Sequence, residues 1–352
     1  MNTAGPRAGS APGRVPTGGA ALREALVALQ RDLSIDEATV RRIVEGAVVD
    51  TYRRLVADDP DVQARVDLAA GSVSLFRDDG RGGSAQVEAP VADFARQAAQ
   101  AAKAAVAGWA RDAERERVIR EGMAQKGELI DVVVERPDGA LWWVRAGNLA
   151  SVLPPEEQTP GEQLRRQQHL KVLVIDVRRR QRDAVVVVSR THPSLLRRLL
   201  EQEVPELADG RVLVKAVARE AGRRSKVAVH APEEGIDAQG ACIGPRGVRI
   251  RAVVSELGEE QVQVVEWSAD PAKYVASALA PAQVSAVELD SETRTAHAIV
   301  PDDQLSLAIG RSGENARLAA RLTGWRIDIS GESGHPRREA ATSPAPKRED
   351  AR

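Results

Sequence analysis

Residues 240–251 read GACIGPRGVRIR, and residues 308–319 read AIGRSGENARLA. Each stretch contains two glycines separated by two residues, and the second stretch follows the first at an offset of 66 residues (310 − 244). The same offset pairs four further identical residues: Asp237 with Asp303, Ile243 with Ile309, Arg251 with Arg317, and Gly258 with Gly324. Because the matches include a helix start, a loop and a helix end, the sequence predicts a tandem repeat.

The GxxG spacing alone is a weak signal, since it also occurs at Gly80/Gly83 and at Gly331/Gly334. Only the two copies in the repeat join an apolar helix that ends in Ile to a second helix that carries Arg. This context is typical of a KH module, whose GxxG loop clamps a single-stranded nucleic acid. Glycines without a Cβ let a phosphodiester approach closely, and unpaired N–H groups at the start of the second helix favour phosphate oxygens.

The candidate RNA-contacting residues lie in the two loops and in the helices that follow them. They are Gly244, Pro245, Arg246, Gly247, Arg249 and Arg251 in the first copy, and Gly310, Arg311, Ser312, Gly313 and Arg317 in the second. The arginines could add charge-assisted contacts to phosphates, and flanking aliphatic residues would line a groove for the bases. From residue 211 to 251 there are nine Lys/Arg and four Asp/Glu, a local balance of +5. The alternative interpretation is an ordinary solvated surface of helix and hairpin.

The N-terminal third is predicted to be largely helical. Two tails, residues 1–18 and 331–352, are expected to be disordered because they lack large apolar side chains. Ser34–Glu37 matches a capping box and predicts a helix to about Val56. The other predicted elements are a helix at Ala20–Leu33, a hairpin formed by Val62–Leu68 and Ser72–Phe76, and a long charged helix from Val91 to Glu121 with an i, i+4 pair between Glu116 and Arg120.

Short β-branched runs follow Gly127 and predict a small barrel of the OB type. The predicted strands are Glu128–Arg136, Ala140–Arg145, Leu170–Val177 and Ala184–Arg190, with a proline-rich connection around Pro154 and Pro160 between the two hairpins. Of the neighbouring Trp142 and Trp143, one could stack on a base while the other packs in the core. The sequence alone does not distinguish them.

From His192 onward the pattern alternates between helices and strands. The predicted helices are Pro193–Glu203, Gly247–Leu257, Pro271–Leu279 and two short ones flanking Gly310. The predicted strands are Arg211–Ala218, Lys226–His230, Gln261–Trp267, Val284–Leu289, His297–Val300 and Trp325–Ile329. Asp302 and Asp303 are expected to cap a helix.

Composition argues against several other classes of protein. The net charge of −1 means that any nucleic-acid surface must be local, and five scattered histidines show no metal-ligand spacing. The single cysteine, Cys242, is predicted to be a small buried filler rather than a nucleophile. No P-loop, catalytic triad or membrane-spanning run is evident. We therefore expect a cytoplasmic protein that is not an enzyme, with no metal, no cofactor and no membrane association.

The order of these parts resembles the NusA family of bacterial transcription termination/antitermination (elongation) factors. The resemblance rests on the two glycine-rich stretches and on Glu266–Ser268 and Leu322–Trp325 that follow them. It implies an α+β multidomain fold with a helical N-terminal α/β domain, an S1-type OB barrel and two tandem type II KH domains. The implied domains are residues 19–125, 126–192, 193–269 and 270–330.

The resemblance also implies a function. The N-terminal domain would bind RNA polymerase core, the barrel and KH modules would bind nascent single-stranded RNA, and the protein would modulate pausing, termination and antitermination. Other Nus-type factors are candidate partners, and the chain is expected to act as a monomer. Pro245 departs from an ideal loop because it removes one backbone donor.

Two other interpretations remain open at this stage. An RNA-binding accessory protein of ribosome assembly or RNA decay would use the same barrel and KH folds. A binder of small phosphorylated metabolites would use the GxxG loops within closed pockets, whereas a tandem layout favours a continuous track.

Overall fold

The computed structural model describes residues 36–67, 72–78, 80, 83–88, 93–180, 183–258 and 260–334. The expected tail at residues 1–18, the predicted helix at Ala20–Leu33 and residue Ser34 lie outside this part of the chain. Contacts divide the chain into two compact units. The first comprises residues up to Val118 together with Arg179–Ala184, and the second comprises Ile119–Arg178 and everything from Val185 onward.

The first unit contains two helices and a small antiparallel sheet. Its elements are α1 (Glu37–Leu55), β1 (Val62–Asp67), β2 (Ser72–Asp78), β3 (Ser84–Val87) and most of α2 (Phe94–Ala124). The sheet order is β1-β2-β3, so the predicted hairpin has a third strand. In β1 buried and exposed residues alternate, and the apolar stripe of α1 packs with α2 in one core. Within that core Tyr52 meets Phe94 edge to face.

The start of α1 differs from the predicted capping box. Asp36 is the N-cap, and its carboxylate accepts a hydrogen bond from the backbone N–H of Thr39 at 2.8 Å. Hydrogen bonding to the side chain of Thr39, and then to its backbone, lowers the pKa of Asp36. In α2, Glu116 lies 3.5 Å from Arg179 rather than pairing with Arg120 as predicted. Arg179 belongs to a hairpin that is distant in sequence, so helical spacing could not identify it.

The second unit begins with a closed five-stranded barrel. Its strands are β4 (Leu129–Asp138), β5 (Leu141–Ala146), β6 (Leu149–Leu153), β7 (His169–Arg179) and β8 (Ala184–Ser189), in the order β4-β5-β6-β8-β7. Antiparallel pairing of β4 with β7 closes the barrel, which has the strand order of an OB fold. Strand β6 lies where the sequence predicted a connection. The prediction missed it because its five residues are a short run between a tight turn and Pro154.

Two modules of the same topology follow the barrel. The first contains α3 (Pro193–Glu203), α4 (Pro205–Ala208), β9 (Leu213–Glu220), β10 (Arg224–His230), α5 (Ala238–Ile243), α6 (Val248–Leu257) and β11 (Gln261–Glu266). The second contains α7 (Pro271–Ala278), β12 (Ala286–Asp290), β13 (Thr295–Val300), α8 (Leu305–Ile309), α9 (Glu314–Thr323) and β14 (Arg326–Gly331). In each sheet the central strand pairs antiparallel with the preceding strand and parallel with the last. This mixed three-stranded sheet is the type II KH arrangement.

The two modules share a hydrophobic core. Ala218, Ala228 and Val265 of the first module pack with α7 and α9 of the second. At the same boundary the fully buried Lys226 donates to the side chain of Gln263 and to the carbonyl of Ala280. Burial lowers the pKa of this lysine to about 7.

Buried charges join the barrel to the first module. Arg190, at the end of the barrel, is 1% exposed and forms ion pairs with Glu162 of the barrel loop and Glu256 of α6. Nearby, a Cβ on Gly222 would lie 2.8 Å from the carbonyl oxygen of Pro160. The turn between β9 and β10 of the first module therefore packs directly against the barrel.

The end of the second module corrects two predictions. Strand β14 extends to Gly331, which was expected to begin the disordered tail, and Glu332–Gly334 forms a 3-10 turn. Asp302 does not cap its own helix, since its carboxylate accepts hydrogen bonds from the backbone and hydroxyl of Ser333. The remainder of the tail, residues 335–352, lies outside the described residues.

None of the helices in the described ranges is both long and apolar enough to cross a membrane.

Candidate nucleic-acid interface

The two GxxG loops have nearly the same backbone conformation. Gly244 has φ 73° and ψ 170°, and its counterpart Gly310 has φ 76° and ψ 171°. Each loop also contains two residues in the left-handed conformation. These are Arg246 and Gly247 in the first loop, and Ser312 and Gly313 in the second. In both loops the N–H of the second glycine donates to the carbonyl of the first, at 2.9 and 3.1 Å. The sequence repeat is therefore also a repeat of loop geometry.

The two glycines of a loop serve different purposes. A Cβ on Gly310 would lie 2.8 Å from the backbone nitrogen of Asn315, and a Cβ on Gly244 would lie 2.7 Å from the side chain of Arg249. A Cβ on Gly313, by contrast, would meet nothing within 4 Å. The first glycine allows the loop to pack on its helix. At the second glycine, a Cβ would meet open space in the second loop, whereas in the first loop it would approach the guanidinium of Arg251 to 3.0 Å.

This difference predicts unequal stability costs for alanine in the second loop. Gly313→Ala should cost about 1 kcal/mol, because its only penalty is a β-carbon at positive φ. Gly310→Ala should cost a further 1–3 kcal/mol or so, because it also forces a clash with backbone. Urea denaturation of both variants beside the parent measures the two costs. Equal midpoints for the variants would contradict the assignment.

Arg249 is predicted to contact RNA, and in the structure its partly buried guanidinium also binds groups of the protein. Its Nη1 donates to the carbonyl of Ala241 at 2.7 Å and to the carboxylate of Glu206 at 2.8 Å. The equivalent residue of the second module is Asn315, whose Nδ2 donates to the carbonyls of Ala308 and Leu279. Both side chains satisfy a carbonyl in the helix before the loop, a group that the helix itself leaves unpaired.

The other predicted arginines fall into two groups. Arg246, Arg251 and Arg311 are exposed, and none forms an ion pair with another described residue. Arg317 instead donates to Glu220 of β9, at 2.7 Å, so it bridges the two modules. This hydrogen bond lowers the pKa of Glu220 and raises that of Arg317. Three of the predicted arginines are thus available to a ligand, and Arg317 is engaged within the protein.

Exposed aliphatic side chains flank both loops. Val248, directly after the first loop, is 59% exposed, and Leu307 and Ile309, directly before the second, are 45% and 38% exposed. Large apolar side chains at such exposure form a surface that could contact unstacked bases. Cys242 behind the first loop is fully buried, and burial raises the pKa of its thiol to about 11.

The neighbouring tryptophans of the barrel differ in their surroundings. Trp143 packs against a small cluster that contains Val152 and Val187. Its Nε1 donates to Asp138, and the guanidinium of Arg136 lies 5.2 Å from its ring centroid. Trp142 is half-buried and on the opposite face of the strand. Trp143 is therefore held by the protein, and Trp142 stays the candidate for stacking.

A barrel with OB strand order, followed by two modules that each present an open GxxG loop, defines a KH-type RNA-binding protein. A model described as the NusA-like first KH domain matches residues 190–267, and one described as the NusA-like second KH domain matches residues 271–336. The chain belongs to the NusA family of transcription termination/antitermination proteins.

Curated relatives support this assignment along nearly the whole chain. The transcription termination/antitermination protein NusA of Halalkalibacterium halodurans is 38% identical over 335 residues, which cover 88% of each chain. The proteins of the same name from Bacillus subtilis and Mycobacterium tuberculosis are 37% and 41% identical. These alignments cover 89% of this chain, and 91% and 93% of the respective relatives. The names specify transcription termination and antitermination, which favours this function over ribosome assembly or RNA decay, and they specify no catalytic activity.

Proposed function

We propose that this protein acts on transcribing RNA polymerase by holding the emerging transcript along its two GxxG loops. The observation that carries the proposal is the matched pair of loops, each with a left-handed second glycine and with exposed arginine and aliphatic side chains beside it. Phosphates would lie on Gly247 and Gly313, near Arg246, Arg251 and Arg311. Bases would lie on the aliphatic side chains that flank the loops.

The first unit would bind RNA polymerase core, and the second unit would bind RNA. Two arguments support this division. The contacts separate the chain into these two units, and both GxxG loops belong to the second. Holding the transcript while bound to the enzyme would change how long the polymerase pauses, and so the efficiency of termination and antitermination. These separate roles of the two units are part of the proposal. The monomeric state and the cytoplasmic location of the protein are proposed as well.

A pause assay with purified RNA polymerase tests the proposal. Adding the full chain should change the lifetime of a pause at which a transcript has emerged. A chain that begins at Ile119 should bind RNA with the same steep dependence on salt as the full chain, because both use phosphate contacts, but it should leave the pause unchanged. An equal effect of the two chains would contradict polymerase binding through the first unit. Salt-independent RNA binding would contradict the phosphate contacts.

A further inference from the structure

The second GxxG loop is followed at once by an acidic side chain, which the first loop lacks. Glu314 is the first residue of α9, and an offset of 66 residues places the neutral Val248 at the same position of α6. The matched ranges 236–255 and 302–321 differ in charge as well. The first has three arginines and one aspartate, a net charge of +2, whereas the second has three arginines and three acidic residues, a net charge of 0. By its own residues, the second loop is therefore the less favourable of the two for a phosphate.

A carboxylate at the first position of a helix can compete with a phosphate for the same groups. The first N–H groups of a helix have no partner within the helix, and they attract a nearby carboxylate as they attract a phosphate. Gly313, the N-cap of α9, has no side chain with which to satisfy them. If the Glu314 side chain turned toward the start of α9, its carboxylate would therefore occupy the groups at which a phosphate is proposed to bind.

The structure holds the Glu314 carboxylate against the first module instead. Its Oε1 lies 3.3 Å from Nη2 of Arg223, in the turn between β9 and β10. The Glu314 side chain is only 13% exposed, and this buried oxygen accepts no hydrogen bond from a described residue. The ion pair with Arg223 is thus the interaction that fixes the position of the carboxylate.

The turn that carries Arg223 is itself attached to α9. Glu220, at the other end of the turn, accepts hydrogen bonds from Arg317 at 2.7 Å and from Arg321 at 3.3 Å. Residues 314, 317 and 321 lie on one face of the helix because they are three and four residues apart. All three ion pairs therefore join this face of α9 to the same turn, and two of them keep Arg223 within reach of Glu314.

We infer that Arg223 of the first module is a positioning residue for the second GxxG loop. It draws the carboxylate of Glu314 away from the start of α9 and leaves the N–H groups there to a phosphate of the RNA. The second loop therefore binds RNA at full strength only when the first module is packed beside it. The first loop, which is followed by Val248, needs no such residue. This inference rests on the proposed binding of RNA at the loops.

Binding of an oligouridine of about twelve nucleotides, long enough for two loops that each clamp four, tests the inference with the full chain. Arg223→Ala releases the carboxylate and should weaken binding about fivefold. Glu314→Gln removes the competing charge and should bind at least as tightly as the parent. Adding Arg223→Ala to Glu314→Gln should then change the affinity by less than about twofold, because the two residues act as one unit. Arg223→Lys keeps the ion pair and should bind like the parent.

Arg224→Ala is the matched control. It removes the same charge from the same turn, but the Arg224 side chain donates to Gln261 rather than to an acidic residue. This variant releases no carboxylate, so it should bind the oligouridine like the parent. The urea midpoint of Arg223→Ala should also stay near that of the parent, since Arg223 is largely exposed and exposed ion pairs contribute little to stability.

The outcomes separate this inference from the proposed function. If the parent does not bind the oligouridine at low salt, RNA binding at the loops is wrong and the inference falls with it. If Arg223→Ala binds like the parent, or if Glu314→Gln binds more weakly, RNA binding stands and the role of Arg223 is overturned. Equal losses from Arg223→Ala with and without Glu314→Gln would also overturn it, because Arg223 would then contact the RNA itself.

Discussion

A chain that carries both Gly247→Asp and Gly313→Asp is expected to bind single-stranded RNA about a hundredfold more weakly than the parent. Each carboxylate would lie where a phosphate is proposed to approach, and two like charges about 4 Å apart repel by about 1–4 kcal/mol near a protein surface. At residue 247 the new side chain would also lie beside Arg251, since a Cβ there is 3.0 Å from its Nη1. The new carboxylate would therefore pair with Arg251, one of the arginines that are otherwise free to bind RNA.

Matched variants separate the charge from the change in backbone. Gly247→Asn with Gly313→Asn places similar side chains at the same positive φ without the charge, and asparagine also tolerates this conformation. This pair should lose much less affinity. Gly324→Asp adds the same charge at φ 71°, at the far end of α9, in open space, and should bind RNA like the parent. Filter binding at two salt concentrations measures all three, and parental affinity in the double Asp variant would refute the clamp.

Glu260→Gln is expected to destabilise the second unit by about 3–5 kcal/mol at neutral pH, because it removes the charge from a buried ion pair. The side chains of Glu260 and Arg219 are 0% and 1% exposed. The carboxylate also accepts hydrogen bonds from Ser225 and from the backbone of Gly222. Burial acts to raise the pKa of Glu260, but the Arg219 guanidinium, the Ser225 hydroxyl and the Gly222 N–H outweigh it and hold the pKa below its usual range.

The sign of the pH dependence follows from this lowered pKa. The stabilisation by Glu260 is complete above the ordinary carboxyl pKa of 4.5 and is lost as the pH falls through the lower value of the folded state. The difference in unfolding free energy between the parent and Glu260→Gln should therefore shrink in acid. Glu220→Gln, which breaks the partly exposed pair with Arg317, is the control and should cost no more than about 1 kcal/mol. Equal urea midpoints for Glu260→Gln and the parent at pH 7 would contradict the assignment.

Local patterns predicted most of the elements that position the loops. The helix Pro193–Glu203 has the predicted bounds, and both GxxG loops lie between helices as expected. Apolar periodicity and turn residues are local signals, so they are legible in a single sequence. Strand β6 was missed because it has five residues and no long β-branched run.

Local patterns could not predict which arginines bind other groups of the protein and which remain exposed. Arg249 donates hydrogen bonds to Glu206, which is 43 residues earlier, and to the carbonyl of Ala241. Arg317 pairs with Glu220, which is 97 residues earlier in the chain. Both partners are brought close only by tertiary packing, and nothing in the spacing around either arginine distinguishes it from Arg246. The sequence identifies where the loops are, and the fold decides which charges remain free beside them.

The hydrophobic core shared by the two modules has a kinetic consequence. Because Ala218 and Ala228 pack against helices of the neighbouring module, both loops belong to one body. An RNA that leaves one of the loops proposed to hold it therefore stays close to the other loop. Rebinding of the RNA to the empty loop is then intramolecular. The RNA between the two loops acts as a short flexible tether, for which the effective concentration is in the millimolar range or so. A transcript long enough to reach both loops should depart far more slowly than either half of it would alone.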